Sequence, residues 1–306
     1  MKNYAAIDVG SNQVLMYIVT LYNGKISGEI LDTGVVTRLG ENVIENGFLE
    51  KEAMNRTLSA LRSFKKLIDE NKVQSVAAVG TAALRRSKNS KAFLDQVKKD
   101  TGIGISIISG EEEARLAFLA VSRSLDVAKS DAVILDIGGA STEFIYSRGN
   151  NIVDLFSLNT GALILTEKYL KSDPVKNAEL SAMEERLGQE LKRVSHPFKD
   201  PLLAGIGGTM STIGAMKHQI EKYDPEIVHG TKVGIKEIDA FRFSLKTKTI
   251  SERKKIKGLQ PERAGLILAG TVILRSVMKK LFIDTVVISD KGLRHALICD
   301  RFLTGR

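Results

Sequence analysis

The stretch DAVILDIGGASTEF, residues 131–144, places Asp136 at the end of an apolar run and Glu143 beyond two glycines, an alanine and two hydroxyls. These groups suit phosphate. Glycine lets backbone N–H groups approach an anion closely and point together, as Gly138 and Gly139 would, and the hydroxyls of Ser141 and Thr142 around Ala140 add donors. A carboxylate at a strand end suits Mg²⁺, which takes one or two carboxylates and keeps positions for water and phosphate oxygens. Related loops follow two other apolar runs. Asp8 precedes Gly10, Ser11 and Asn12, and Gly205-Ile-Gly-Gly-Thr209 brings Gly207, Gly208 and Thr209 to the start of a predicted helix. A helix N-terminus favours anions. One strand-ending glycine often only turns the chain. Several such loops, two of them led by Asp, argue for a ligand that carries several phosphates. No G-x-x-x-x-G-K-[ST] occurs, so this is not a P-loop protein.

Other chemistry-bearing residues are less specific. Glu143 alone reads as a solvent-facing strand residue; the loop before it makes it a candidate. Glu111, Glu112 and Glu113 open a predicted helix, where acids complement the dipole; a base for water attack on phosphorus needs one of them. Arg85 and Arg86 are either phosphate clamps or an exposed basic turn. His196, His218, His229 and His295 form no triad signature and no metal spacing. The basic stretch KTKTISERKKIKG, residues 246–258, has no interleaved aromatics and reads as a solvated face that can attract polyanions.

The elements that must hold these residues alternate between strand and helix patterns, an α/β chain. YAAIDV, VLMYIVTLY and KISGEIL read as strands, with a hairpin turn at Asn23-Gly24. Leu58, Leu61, Phe64, Leu67 and Ile68 recur at helical spacing. Residues 131–158 repeat the opening layout: apolar strand, Asp, Gly, hydroxyl, strand, turn, strand. Aligning Asp8 on Asp136 also aligns Gly10 on Gly138. Such repetition predicts two related halves with a binding cleft between them. The junction is expected near 125–130, giving domains 1–125 and 126–291.

Bulk composition narrows the partners. The chain has 306 residues, 43% of them hydrophobic, and no Trp, so aliphatic side chains must fill its core. A formal charge of +9 favours anionic partners. Cys299 is the only cysteine, which excludes an intrachain disulfide and a thiolate metal cluster. The N-terminal residues reach Asp8 too soon for a signal peptide, and no apolar run is long enough to span a bilayer. The expectation is a cytoplasmic protein with no nucleic-acid or membrane partner.

The segments AAIDVGSN, VGTAALRRSKN, ISGEEEARL, LDIGGASTEF, GIGGT, YDPEIVHG, GLQPERAG and ISDKGLR, in this order, resemble the exopolyphosphatase/guanosine pentaphosphate phosphohydrolase family. The resemblance covers nearly the whole chain and matches the family's short two-domain form. It implies two ribonuclease H-like domains of the actin-like ATPase superfamily around a central cleft, with residues 292–306 packing back on the first. It implies Mg²⁺-dependent release of orthophosphate from inorganic polyphosphate or from guanosine pentaphosphate, with guanosine tetraphosphate as a related ligand, and a homodimer. The family's base falls on Glu112, with Glu143 assisting, and its metal carboxylates on Asp136 and Asp8. Its phosphate contacts fall on Ser11, Asn12, Arg85, Gly138, Gly139, Ala140, Ser141, Thr142, Gly207, Gly208 and Thr209. Ala140, Gln13, Gly265 and the GLRHA segment depart from the family pattern. A Cβ at Ala140 would cost about 1 kcal/mol if that position needed a positive φ.

Overall fold

Among the described residues eleven strands build two sheets. They are β1 (Lys2–Val9), β2 (Gln13–Tyr22), β3 (Lys25–Val36), β4 (Val73–Gly80), β5 (Ile105–Ile107), β6 (Asp131–Ile137), β7 (Thr142–Arg148), β8 (Asn151–Leu158), β9 (Leu202–Ile206), β10 (Lys232–Gly234) and β11 (Thr285–Ile288). The structure is a computed structural model that describes residues 1–125, 127 and 130–303. Two units are distinguished: unit 1 is Met1–Leu116 with Leu293–Arg306, and unit 2 is Ala117–Gly292. The chain passes from one to the other inside the helix Gly110–Ser122. The junction expected at 125–130 includes residues 126, 128 and 129, which lie outside the described residues, as do residues 304–306 of the expected returning segment.

In unit 1 the order is β3-β2-β1-β4-β5. β1, β2 and β3 pair antiparallel, and β4 and β5 run parallel to β1. Asn23 and Gly24 both take left-handed φ, 48° and 71°, as a two-residue hairpin turn requires. The helix Lys51–Glu70 buries Leu58, Leu61, Phe64 and Ile68, the apolar stripe of the sequence, in the same core as Ile7, Val9 and Ile18. The helix Ser90–Thr101 stops at Gly102, whose left-handed backbone donates to Lys98 O. The helix Leu293–Phe302 packs against β1, β2 and β4. It is fastened by Arg294, whose Nε and Nη2 donate to Asp32 at 2.6 and 2.8 Å, and by His295 Nε2, 3.1 Å from the same carboxylate.

Unit 2 has the order β10-β11-β9-β6-β7-β8. β6, β7 and β8 form the antiparallel part, and β9 and β11 run parallel to β6. Setting aside the short edge strand β10, both sheets have the same ribonuclease H-like order, so the repeated layout in the sequence is a repeated α/β topology. The helix Ile267–Leu281 is buried along most of its length and supplies the centre of this core.

The basic stretch 246–258 is not uniformly solvated. Arg253 is 1% exposed; its Nε donates to Leu245 O at 2.7 Å and its Nη1 reaches Ala264 O at 3.4 Å. Two backbone carbonyls hold this guanidinium, and burial pulls its pKa down against the opposing charge of Asp173.

Candidate phosphate-binding loops

In unit 2 the β6–β7 hairpin sets Asp136 directly opposite Glu143. Directly opposed residues of an antiparallel pair point to one face of the sheet and lie close together. Glu143 falls seven positions after Asp136 because the turn 138–141 between their strands brings the two into register. Glu143 is 1% exposed, and Ser157 Oγ donates to its Oε1 at 2.9 Å. Two carboxylates this close repel unless a proton or a cation sits with them.

The loop between them is held from behind. Gly138 N–H donates to Ser141 O at 3.0 Å, closing the turn. Amides at the start of the helix Ala162–Tyr169 bind its carbonyls: Ala162 N–H to Gly138 O at 3.0 Å and Leu163 N–H to Gly139 O at 2.9 Å. Gly161 lies against this loop so closely that a Cβ there would collide with the Gly139 carbonyl. Thr142 Oγ1 donates to Thr160 O at 2.5 Å. Ala140 is 4% exposed and is absent from the positive-φ residues, so its Cβ fits without backbone strain. The cost expected of an alanine here does not arise.

Asp136 also meets the third loop. Gly207 takes φ 89°, and a Cβ there would lie 2.6 Å from Asp136 Oδ1. Gly208 and Thr209 open the helix Gly208–His218. The Arg263 guanidinium occupies the space a Cβ on Gly208 would need, and Thr209 is buried against Gly270 of the helix Ile267–Leu281. The sequence carries no local signal for Arg263 beside Gly208 or for Gly161 beside Gly139. Both act through packing between distant segments and leave no local pattern.

Unit 1 repeats the hairpin with different side chains. Gly10 N–H donates to Gln13 O at 3.0 Å, the same closure as Gly138 to Ser141. The residue opposite Asp8 is Leu15, not an acid. Burial, opposed by the Arg294 charge, pushes the Asp8 carboxyl up to about 7. Its Oδ1 and the Asn12 Oδ1 are inaccessible and have no hydrogen-bond partner among the described residues. Residues 37–40 wrap this loop: Thr37 N–H and Arg38 N–H both donate to Asn12 O, at 3.0 and 2.9 Å, and Gly40 N–H donates to Ser11 O at 2.8 Å. Arg38 takes φ 51°, a left-handed conformation that costs an L-residue roughly 1–2 kcal/mol.

Orphaned oxygens on Asp8 and Asn12, and the opposed pair Asp136–Glu143, are donor sets that fit a hard cation such as Mg²⁺. Among the described residues no group of three or more His, Cys, Asp or Glu gathers. Mg²⁺ does not require one.

The remaining candidates sit in unit 1. Ser109 Oγ accepts from Glu112 N–H at 3.1 Å and caps the helix Gly110–Ser122. The Glu112 carboxylate takes a fork from Arg115, 2.8 and 2.9 Å, which holds its pKa below the usual value despite burial. Arg115 also reaches Asp300 at 2.8 Å. Arg85 Nη1 donates to Ile108 O at 2.8 Å and to Glu113 Oε2 at 3.1 Å. Arg85 is thus engaged with its own unit, and Glu113 serves that arginine.

The family model described as the Ppx/GppA phosphatase family matches residues 18–304. The bifunctional 3-dehydroquinate synthase/phosphatase of Fusobacterium nucleatum is 32% identical over 297 residues, 94% of this chain but 44% of that protein. Exopolyphosphatase 2 of Mycobacterium tuberculosis is 29% identical, with 96% of each chain covered. The crystal structure of the Aquifex aeolicus Ppx/GppA family member superposes with a TM-score of 0.81 at 35% identity, covering 98% of this chain and 97% of that one. Repeated sheets, repeated Asp-Gly hairpins and these similarities agree: the chain belongs to the Ppx/GppA phosphatase family, whose members hydrolyse phosphoanhydride bonds.

Proposed function

We propose that this chain is an exopolyphosphatase, removing the terminal phosphoryl group of inorganic polyphosphate by attack of water. The water oxygen bonds to the terminal phosphorus, the bridging P–O bond breaks, and orthophosphate leaves a chain one unit shorter. The observation that carries this reading is the Asp136–Glu143 pair on one face of the β6–β7 hairpin, flanked by glycine loops. Asp136 in unit 2 and Asp8 in unit 1 are the carboxylates that would hold Mg²⁺, each at its own loop, and Mg²⁺ when bound neutralises phosphate charge. Backbone amides and hydroxyls of Ser11, Asn12, Gly138 to Thr142 and Gly207 to Thr209 hold phosphoryl oxygens. Arg263, over Gly208, adds a cation to the third loop, and Arg85 is a further phosphate contact.

Glu112 is the base in this reading, with Glu143 assisting. The Arg115 fork keeps Glu112 ionised and weakly basic. That suffices, because the transition state of phosphoryl transfer is loose and asks mainly for a positioned water and for charge stabilisation. Near-complete coverage of a relative named exopolyphosphatase favours polyphosphate over guanosine pentaphosphate. The unstrained Ala140 removes the reason for a silent, ligand-binding regulator. Mg²⁺ dependence, a cytoplasmic location and a homodimer belong to the same proposal.

The test is phosphate release with Mg²⁺ from long-chain polyphosphate, short-chain polyphosphate and guanosine pentaphosphate, for wild type and Glu112→Ala. Release from polyphosphate that is lost in the variant is the expected result. Release only from guanosine pentaphosphate moves the substrate; release unchanged in the variant moves the base to Glu143.

A further inference from the structure

We infer that Arg38 is a substrate-binding residue, its guanidinium contacting the anionic phosphate chain beside the Ser11–Asn12 loop. The inference rests on the phosphate-binding reading of that loop. Residues 37–40 are fixed by the three backbone bonds to Asn12 O and Ser11 O, by burial of Leu39, and by Arg56, whose Nε donates to Thr37 O at 2.9 Å. A Cβ on Gly40 would lie 2.8 Å from Ser11 Cβ, so the strap is pressed onto the loop.

Within that strap Arg38 takes φ 51° and is exposed. Glycine or asparagine would tolerate this backbone better. Strained residues persist where the surroundings over-determine them, and they gather at ligand sites. The Arg38 side chain supplies the reason for an arginine here. Arg56, Arg62, Arg85, Arg115, Arg294 and Arg301 of unit 1 each bond a carboxylate. The Arg38 guanidinium has no hydrogen-bond or ion-pair partner among the described residues. Its charge is therefore available to an anion at the loop to which its own amide is bonded, and a phosphate chain carries charge along its length.

The experiment compares Arg38→Ala, Arg38→Lys and Arg38→Gly in the full chain. Steady-state phosphate release from polyphosphate gives kcat and KM, and calorimetry gives binding of tripolyphosphate without Mg²⁺. For Arg38→Ala and Arg38→Gly the expected result is a KM raised about 10-fold with kcat within about 2-fold, the pattern of lost uniform binding. The salt dependence of KM becomes shallower as an exposed charge contact is removed. Arg38→Gly melts higher than Arg38→Ala because glycine relieves the backbone, yet it recovers no affinity. Arg38→Lys keeps part of the affinity. An unchanged KM and tripolyphosphate affinity in Arg38→Ala overturns the inference, as does full recovery in Arg38→Gly, which assigns the residue to the backbone alone. If wild type binds tripolyphosphate but releases no phosphate from polyphosphate, the exopolyphosphatase reading fails. The affinity of Arg38→Ala for tripolyphosphate then still decides this inference: a loss of about 10-fold supports it and equal affinity overturns it.

Discussion

The β1–β2 and β6–β7 hairpins have one backbone plan and two chemistries. Each is closed by a glycine N–H bonded to a carbonyl three residues on, Gly10 to Gln13 and Gly138 to Ser141. Each has an Asp as the penultimate residue of its first strand. Across the ladder, however, Asp8 faces Leu15 while Asp136 faces Glu143. The loop tips differ in the same way: Ser11 and Asn12 offer side-chain donors and acceptors, whereas Gly139 and Ala140 offer backbone. Duplicated topology thus fixes where a carboxylate can stand, and single positions on the facing strand decide whether it stands alone or in a pair.

Removing the two aspartates should separate the hairpins most sharply. Asp136→Asn is expected to lower kcat on the order of 10²–10³-fold, the range for losing one charge-stabilising group at a reacting centre. Asp8→Asn should cost about 10-fold, because no second carboxylate depends on it. Equal losses in phosphate-release assays would erase the distinction.

Support behind the second loop comes next. Gly161→Ala drives a Cβ into the Gly139 carbonyl, and overpacking of this kind costs about 1–3 kcal/mol. Urea unfolding should show that loss, with a fall in rate of about 10-fold. A neutral result would mean the loop can move without consequence.

An intermediate effect belongs to unit 1 alone. Burial raises the Asp32 carboxyl, but hydrogen bonds from His295 and Arg294 outweigh it and hold its pKa well below the ordinary value. Stability from a depressed carboxylate is present above its unfolded pKa and is lost as pH falls towards the folded one. The melting-temperature gap between wild type and Asp32→Asn should therefore be full at neutral pH and shrink below about pH 4. A gap that persists into acid would assign Asp32 a packing role.

Smallest is the change at the loop tip. Ala140→Gly should leave the rate within about 2-fold and cost about 0.4–1 kcal/mol in chain entropy, since the alanine is unstrained. A marked gain in rate would show that the methyl group does hold the amides back.

The hairpins were legible in the sequence because their chemistry is local. Asp, Gly and hydroxyl residues fall within a few positions, and Asn23-Gly24 announces its own turn. Glu143 read alone as a solvent-facing strand residue; only the register across the hairpin turns its spacing from Asp136 into adjacency and burial. Three consecutive acids at 111–113 could not be sorted from sequence, because helix rotation and long-range partners give Glu112 to Arg115 and Glu113 to Arg85. Gly161, Arg263 and the strained Arg38 depend on segments far apart in the chain. The stretch 246–258 misled for a related reason: charge composition suggests solvent, yet two backbone carbonyls hold Arg253 in the interior.

The central claim is that the opposed carboxylates of the β6–β7 hairpin, rather than the hairpin plan itself, carry the phosphate chemistry. It is tested most directly by Glu143→Leu, which gives unit 2 the residue that unit 1 has opposite its Asp, assayed for Mg²⁺-dependent phosphate release from polyphosphate beside wild type. The account predicts a folded protein with a rate lower on the order of 10²–10³-fold. A rate within a few-fold of wild type would contradict it.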